Sequence, residues 1–282
     1  MLALVFGISA GVLLGVSDLF AAKTSKHVPS ITVARSAFTA STIVAILLVI
    51  FVHSTFTVRD TLISLCSGAL MAVGLSLLYE GYKVSSIGLI APTCAVLLGL
   101  VPVIDSIRKG DRPSMWGWSG MALGIVAIGM ATYQPGSPGK ARTALLFGAG
   151  SGLMFGCAFA LFDYTSKASG LSPVLIQRCS AGVILAGAML FDRTPGGRAP
   201  WIAIHPPARR LGIATGVAAG LAIACVQLGY RVGSSGPVAV ATSQFATVGV
   251  VLSVIFEKEK LRRLQWIGLV CAAVGVALLA AS

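Results

Sequence analysis

Charge is what this sequence has least of. Only 11% of its 282 residues are Asp, Glu, Lys or Arg, where a soluble domain carries about 25%. A water-soluble fold of this length cannot hide the 56% of hydrophobic residues that accompany so few charges, so a soluble enzyme or binding domain is excluded. Acidic residues are the scarcest, nine against 21 Lys and Arg, for a net charge of +12. The basic residues stand in short clusters between apolar runs, as positive charge flanking membrane spans does. A nucleic-acid partner would need a continuous basic face, and none is expected. Paired cysteines are also lacking. Cys66, Cys94, Cys157, Cys179, Cys225 and Cys271 all lie inside apolar runs without a CxxC step or metal-ligand spacing, and read as small reduced core residues. His27, His53 and His205 fall in connections and read as solvated. No pattern asks for a metal or a cofactor. The N-terminus has no basic head of a signal peptide, and its first apolar run has the length of a span.

What the chain has instead is ten long apolar runs: 2–22, 33–52, 61–80, 86–105, 114–133, 143–164, 172–191, 211–231, 236–256 and 264–281. About 20 apolar residues in a helix cross the roughly 30 Å of bilayer hydrocarbon. The runs show no alternation of polar residues at every second position, so strands of a membrane barrel are ruled out. The 33 glycines include steps four apart, at Gly7, Gly11 and Gly15, at Gly152 and Gly156, and at Gly212, Gly216 and Gly220. Such stripes let helix backbones approach closely in lipid. The run from Gly148 to Gly152 lacks the Lys-Ser/Thr ending of a phosphate loop and reads as packing.

The phrase Gly81-Tyr82-Lys83-Val84 returns as Gly229-Tyr230-Arg231-Val232, and its neighbours return with it. Shifted by 148 residues, Gly88 falls on Gly236, Asp111 on Glu259, Trp118 on Trp266 and Gly120 on Gly268. Nearer the N-terminus the shift is 141, and Phe6-Gly7, Gly11, Gly15 and Thr24-Ser25-Lys26 fall on Phe147-Gly148, Gly152, Gly156 and Thr165-Ser166-Lys167. A two-residue insertion then carries Arg35 onto Arg178. The chain reads as two five-helix halves, 1–133 and 143–282, joined by a Pro- and Gly-containing linker at 134–142. After five crossings the second half starts on the opposite side of the membrane. The expected fold class is therefore an all-α membrane protein, with ten transmembrane helices arranged as two inverted five-helix repeats. Secondary transporters are built this way, with substrate held near the midplane between the repeats.

Two helix ends, Glu259-Lys260-Leu261-Arg262-Arg263-Leu264-Gln265-Trp266-Ile267-Gly268 and more loosely Asp111 to Gly120, and the corner Ser86-Ile87-Gly88-Leu89-Ile90-Ala91-Pro92 resemble paired EamA domains of the drug/metabolite transporter superfamily. The resemblance covers almost the whole chain and names no substrate. It implies a carrier whose helices 1, 3, 4, 6, 8 and 9 surround the cavity. The chain departs from the pattern in places. Leu14-Gly15 and Phe155-Gly156 stand where the family has Trp-Gly, and Leu98 replaces the second proline of helix 4. Val240 and Ala246 replace both prolines of helix 9, with Pro237 ahead of them. Because proline frees a backbone carbonyl and kinks a helix, the hinge of the second half is expected to differ.

Thirteen Lys and Arg fall in the odd-numbered connections and six in the even ones, leaving aside the intramembrane Arg35 and Arg178. The odd connections are therefore expected in the cytoplasm and both termini outside it. The expected location is multi-pass in the plasma membrane, the inner membrane of a bacterium.

Polar residues shared by both halves suit the scaffold or gates, and those in one half only are candidates for reading the substrate. Arg35/Arg178 and Lys26/Lys167 are shared. Their alternatives are interfacial anchoring by snorkelling side chains, or a gate pair or a site for an anionic group. Tyr82/Tyr230 is shared too and reads as an interface pair. Asp18 has Phe159 as its counterpart, Tyr79-Glu80 has Gln227-Leu228, and Thr242-Ser243-Gln244 has Cys94-Ala95-Val96. Gln177 faces Ala34, and Asp163-Tyr164 faces Ala22-Lys23. A carboxylate inside the bilayer that picks up a proton is the simplest coupling device, and that is one reading of Asp18. The other is a carboxylate near the surface that caps its helix or pairs with Lys23. For the polar trio of helix 9 the alternative is helix–helix hydrogen bonding. With the helices that the resemblance places around the cavity, the candidates for substrate contact are Asp18, Tyr79, Gln227, Thr242, Ser243 and Gln244. Those for coupling or gating are Asp18, Glu80, Arg35 and Arg178.

The function these residues suggest is secondary active transport of a small metabolite such as an amino acid, with export as the direction, by alternating access that is proton-coupled or runs by exchange. The partners are the solute and the lipid bilayer. Both orientations are present in one chain, so a monomer suffices. The alternative is an intramembrane enzyme or a non-transporting membrane receptor. An enzyme needs its acid, base or metal groups clustered, and the chain has no HExxH, no GxSxG and no second carboxylate within a helical turn of Asp18.

Overall fold

Each apolar run becomes one helix, except the ninth, which breaks in two. The computed structural model describes residues 2–85, 87–110, 112, 114–132, 138–191, 206–233, 235–258 and 261–280, and the regular structure among them is all helical. The helices are α1 (Leu2–Ser25), α2 (Ser30–Phe51), α3 (Val58–Val84), α4 (Ile87–Arg108), α5 (Met115–Thr132), α6 (Pro138–Asp163), α7 (Ser172–Phe191), α8 (Pro206–Val232), α9 (Ser235–Thr242), α10 (Phe245–Phe256) and α11 (Arg263–Ala280). Seven spans among the described residues, with α9 and α10 taken as one, are long and apolar enough to cross a membrane. The molecule is a multi-pass membrane protein. Large apolar side chains such as Ile46, Phe51, Trp116, Trp118, Val183 and Leu190 stand on its outside, a surface that lipid solvates and water does not.

Residues 138–142, expected in the linker, form the first turns of α6, which opens at Pro138. A proline in the first turn has no amide hydrogen to leave unpaired. The rest of that linker, 134–137, lies outside the described residues, as do Ser86, Asp111, Arg193, Arg198, His205, Ser234, Glu259 and Lys260.

The break in the ninth span falls on a run of three polar residues and not on a proline. Thr242 Oγ1 donates to Val238 O at 2.8 Å and Ser243 Oγ to Val240 O at 2.8 Å. Gln244 Oε1 accepts from Thr247 Oγ1 at 2.9 Å, and its Nε2 donates to Ala273 O of α11 at 3.3 Å. Side-chain hydroxyls that return to the carbonyl a turn back loosen a helix ladder and bend it. The fourth span, by contrast, stays continuous through Pro92 and Pro102.

Glycine stripes set the packing. A Cβ at Gly7 would lie 2.8 Å from Ala241 Cβ, and one at Gly15 2.6 Å from Val248 Cβ, so α1 sits directly on α9 and α10. At Gly148, Gly152 and Gly156, α6 sits on Thr93, Cys94 and Val101 of α4 in the same manner. Gly68 of α3 lies against Gln177 and Ser180 of α7, and Gly216 of α8 against Ala37 and Ala40 of α2. Beyond these contacts α1 packs on α8, α6 on α3, α5 on α11, and α4 on α10.

Candidate functional site

A cavity opens between these helices, with about 550 Å³ free of protein atoms, its mouth included. Its wall comes from α1, α2, α3, α4, α6, α7, α8 and α10. Most of it is apolar, Phe38, Leu98, Phe155, Phe159 and Phe245 among others, and its charged groups are Asp18 and Arg178.

Asp18 is 5% exposed and its Oδ2 accepts a hydrogen bond from Tyr82 Oη at 3.0 Å. It does not pair with Lys23, which reaches Glu257 instead. Tyr79, fully enclosed on the same wall, shares a hydrogen bond with Ser17, and its ring stacks near Tyr82 with centroids 6.4 Å apart. Arg178 is 2% exposed. Its Nε and Nη2 have no hydrogen-bond partner among the described residues, and the guanidinium carbon stands 5.0 Å from the centroid of the Phe38 ring. A buried guanidinium without a counter-ion is costly by several kcal/mol, and an aromatic face recovers only about 0.5–2 kcal/mol of that.

Several wall positions are counterparts in the sequence repeat: Leu14 and Phe155, Asp18 and Phe159, Met71 and Ala219, Leu75 and Ile223. The polar consequence is local. Tyr82 finds Asp18, but Tyr230, its counterpart, has Phe159 where a carboxylate would be, and its hydroxyl is buried without a partner among the described residues.

Of the residues singled out in the sequence, Asp18, Tyr79 and Arg178 come together at the cavity. Gln227 is buried in α8 beside it, with Nε2 on Thr165 Oγ1 at 3.2 Å and Oε1 unpartnered. Thr242, Ser243 and Gln244 form the break between α9 and α10, one step ahead of the lining residue Phe245. Glu80 accepts from Ser30 Oγ and from Lys83 Nζ at the end of α3. Arg35 is half-buried on α2 and is not part of the cavity wall.

Two ion clusters stand at helix ends, outside the cavity wall. Glu257, just past α10, pairs with Lys23 and Lys26 at the end of α1, both at 3.0 Å. Lys109, just past α4, pairs with Asp163 at the end of α6 at 2.7 Å and with Asp105 at 2.9 Å. It also stands 3.9 Å from the centroid of the Tyr164 ring, whose hydroxyl donates to Asp105 at 2.7 Å. Burial pushes the Glu257 carboxyl up, but the hydrogen bonds from Lys26 and Lys23 outweigh it and hold the group below its ordinary value. Burial likewise pulls Lys109 down, and its bonds to Asp163 and Asp105 outweigh that and raise it. Sequence reasoning passed over Lys109 and Glu257 as a pair, although a signal exists: at the 148-residue shift they are counterparts of opposite charge.

Residues 142–281 match the EamA-like transporter family. No curated protein matches the sequence. Among solved structures, one described only as a crystal structure of a protein superposes with a TM-score of 0.72. It covers 98% of this chain and 95% of its own at 14% identity, a likeness of fold alone.

Proposed function

Because the chain belongs to the EamA-like transporter family, matched over 142–281, we propose that it is a secondary carrier exporting a small amphipathic metabolite such as an amino acid by alternating access. The observation that carries this reading is the cavity. It is walled by apolar side chains at repeat-related positions, yet contains Asp18 within a helix long and apolar enough to cross a membrane, and Arg178 on the shorter apolar helix α7. Ionisable groups in a span are expensive, and they persist where they serve a solute or ion path.

The ten-span architecture, with halves 1–133 and 143–282 inverted about the linker 134–142, belongs to the same proposal. It is supported by the way helix contacts exchange. If α1 is matched to α6, α2 to α7, α3 to α8, α4 to the α9–α10 pair and α5 to α11, the contact α1–α8 becomes α6–α3. In the same way α2–α8 becomes α7–α3, and α1 on α9–α10 becomes α6 on α4. Each glycine stripe seats an element of the other half. In inverted halves the Glu257 and Lys109 clusters lie toward opposite faces, one closing each end of the cavity. Opening one while the other holds is what alternating access requires.

Asp18 is the coupling residue in this scheme, taking up a proton when the substrate leaves. The odd connections face the cytoplasm of a bacterial inner membrane, both termini face out, and the chain works as a monomer. Gln227, Thr242, Ser243 and Gln244 act as substrate contacts or as the hinge beside them, and Arg35 and Glu80 assist gating. Vesicles containing the purified protein test the proposal. Asp18→Asn is expected to preserve counterflow exchange of a transported amino acid while abolishing its accumulation driven by a pH gradient. If both persist unchanged, Asp18 does not couple. If wild-type protein moves no solute under any ion gradient, transport itself is refuted.

A further inference from the structure

Among the described residues, Arg178 is the cavity group whose chemistry is left incomplete, and the geometry points to what completes it: the carboxylate of the substrate. This rests on the cavity being the transport site. The guanidinium is 2% exposed, lines the cavity and carries two donors, Nε and Nη2, with no partner. Neighbouring donors on one edge of a guanidinium match the two oxygens of a carboxylate in a bidentate pair. A neutral amide offers one acceptor and no charge, so it leaves the buried cation uncompensated.

The charges around Arg178 leave that role open. Asp18, the carboxylate on the same wall, is engaged by Tyr82. Glu80 is held by Ser30 and Lys83, and Asp163 by Lys109. The repeat counterpart Arg35 is half-buried and outside the cavity wall, so the pair is symmetric in sequence and not in place. The rest of the wall sets the other end of the ligand. Beside the polar Ser17, Asp18, Ser41 and Tyr79 it is apolar, with Phe155, Phe159 and Leu98 among its residues, which suits an aliphatic or aromatic body. The substrate class is therefore a carboxylic acid with an apolar body, hydrophobic amino acids included, and excludes the corresponding amides and amines.

The test compares matched probes on the purified full-length protein: hexanoate against hexanamide, and leucine against leucinamide, followed as ligand-dependent shifts of the unfolding midpoint. The acids are expected to half-saturate at concentrations about tenfold or more below their amides, the size of effect that one charge-assisted bidentate pair provides. Arg178→Gln is expected to remove the preference, and Arg178→Lys to retain part of it. Equal protection by acid and amide in the wild type overturns the proposal without any variant, as does the absence of protection by either acid up to solubility. Unchanged acid binding by Arg178→Gln overturns it too. Transport in vesicles separates the two claims. Acids that bind but are never carried leave the anion site standing and remove the carrier reading. Transport of an amine or amide that Arg178→Gln leaves intact does the reverse.

Discussion

Tyr82 and Tyr230 are counterparts in the repeat and are both buried, yet removing their hydroxyls should have opposite effects. Tyr82 Oη donates to Asp18 Oδ2 at 3.0 Å, whereas Tyr230 Oη has no partner. Tyr82→Phe deletes a buried hydrogen bond and strips a carboxylate of its donor, at a cost of about 1–3 kcal/mol. Tyr230→Phe deletes an unsatisfied hydroxyl at nearly the same shape. Its effect should run from neutral to about 1 kcal/mol stabilising. The two variants should therefore differ by about 1–4 kcal/mol, which at ~2–4 °C per kcal/mol for a chain of this size is a gap of at least ~2 °C in unfolding midpoint. Unfolding in detergent, followed by fluorescence of the four tryptophans, reads that gap directly. Equal losses in both variants, or a larger loss in Tyr230→Phe, would refute the idea that replacing the carboxylate by Phe159 is what separates the two positions.

Two further outcomes follow from the ion clusters and the doubling. Glu257 titrates below its ordinary 4.5 because the Lys26 and Lys23 bonds outweigh its burial. A depressed folded value means its contribution is present above pH 4.5 and lost as pH falls through the lowered value. Spin labels at His27→Cys and Phe256→Cys, in a background without the six native cysteines, should report a separation that lengthens in acid. Glu257→Gln should give the long separation at every pH, and no change in either condition would remove this cluster as a closure. The repeat predicts that His27→Cys and Ala168→Cys, counterparts at the 141-residue shift, react with an impermeant thiol reagent from opposite faces of intact cells, His27 from within. Labelling from one common face would refute the inverted arrangement.

Much of the fold was legible in one dimension because lipid imposes a rule that acts along the chain. Every backbone polar group in hydrocarbon must be satisfied within its own helix, so apolar run length and charged flanks predict spans without knowledge of their neighbours. The runs 33–52, 86–105 and 172–191 lie within a few residues of α2, α4 and α7 for that reason. The glycine stripes were legible too, since close approach needs a missing side chain whichever helix comes near. The break at Ser243-Gln244 was half legible. Val240 and Ala246 in place of prolines announced a different hinge, and the polar trio carried helix–helix hydrogen bonding as one of its two readings, which Gln244 Nε2 on Ala273 O of α11 meets, but the hydroxyl-to-carbonyl bonds beside the break have no mark in the sequence.

One dimension was enough to read a membrane-embedded helical chain with a repeated phrase, and Asp18, Tyr79 and Arg178 as polar groups where polarity is costly. It took the packed helices to bring these three to one cavity, to give Lys23 to Glu257 and not to Asp18, and to leave Arg178 without a counter-ion among the described residues while Arg35 stands outside the wall. The physical reason is the range of the forces. Span formation depends on hydrophobicity summed over neighbouring residues, and one chain holds all of that information. Charge pairing and desolvation depend on distances of a few ångströms between residues up to 234 positions apart, as Lys23 and Glu257 are, and packing alone fixes those.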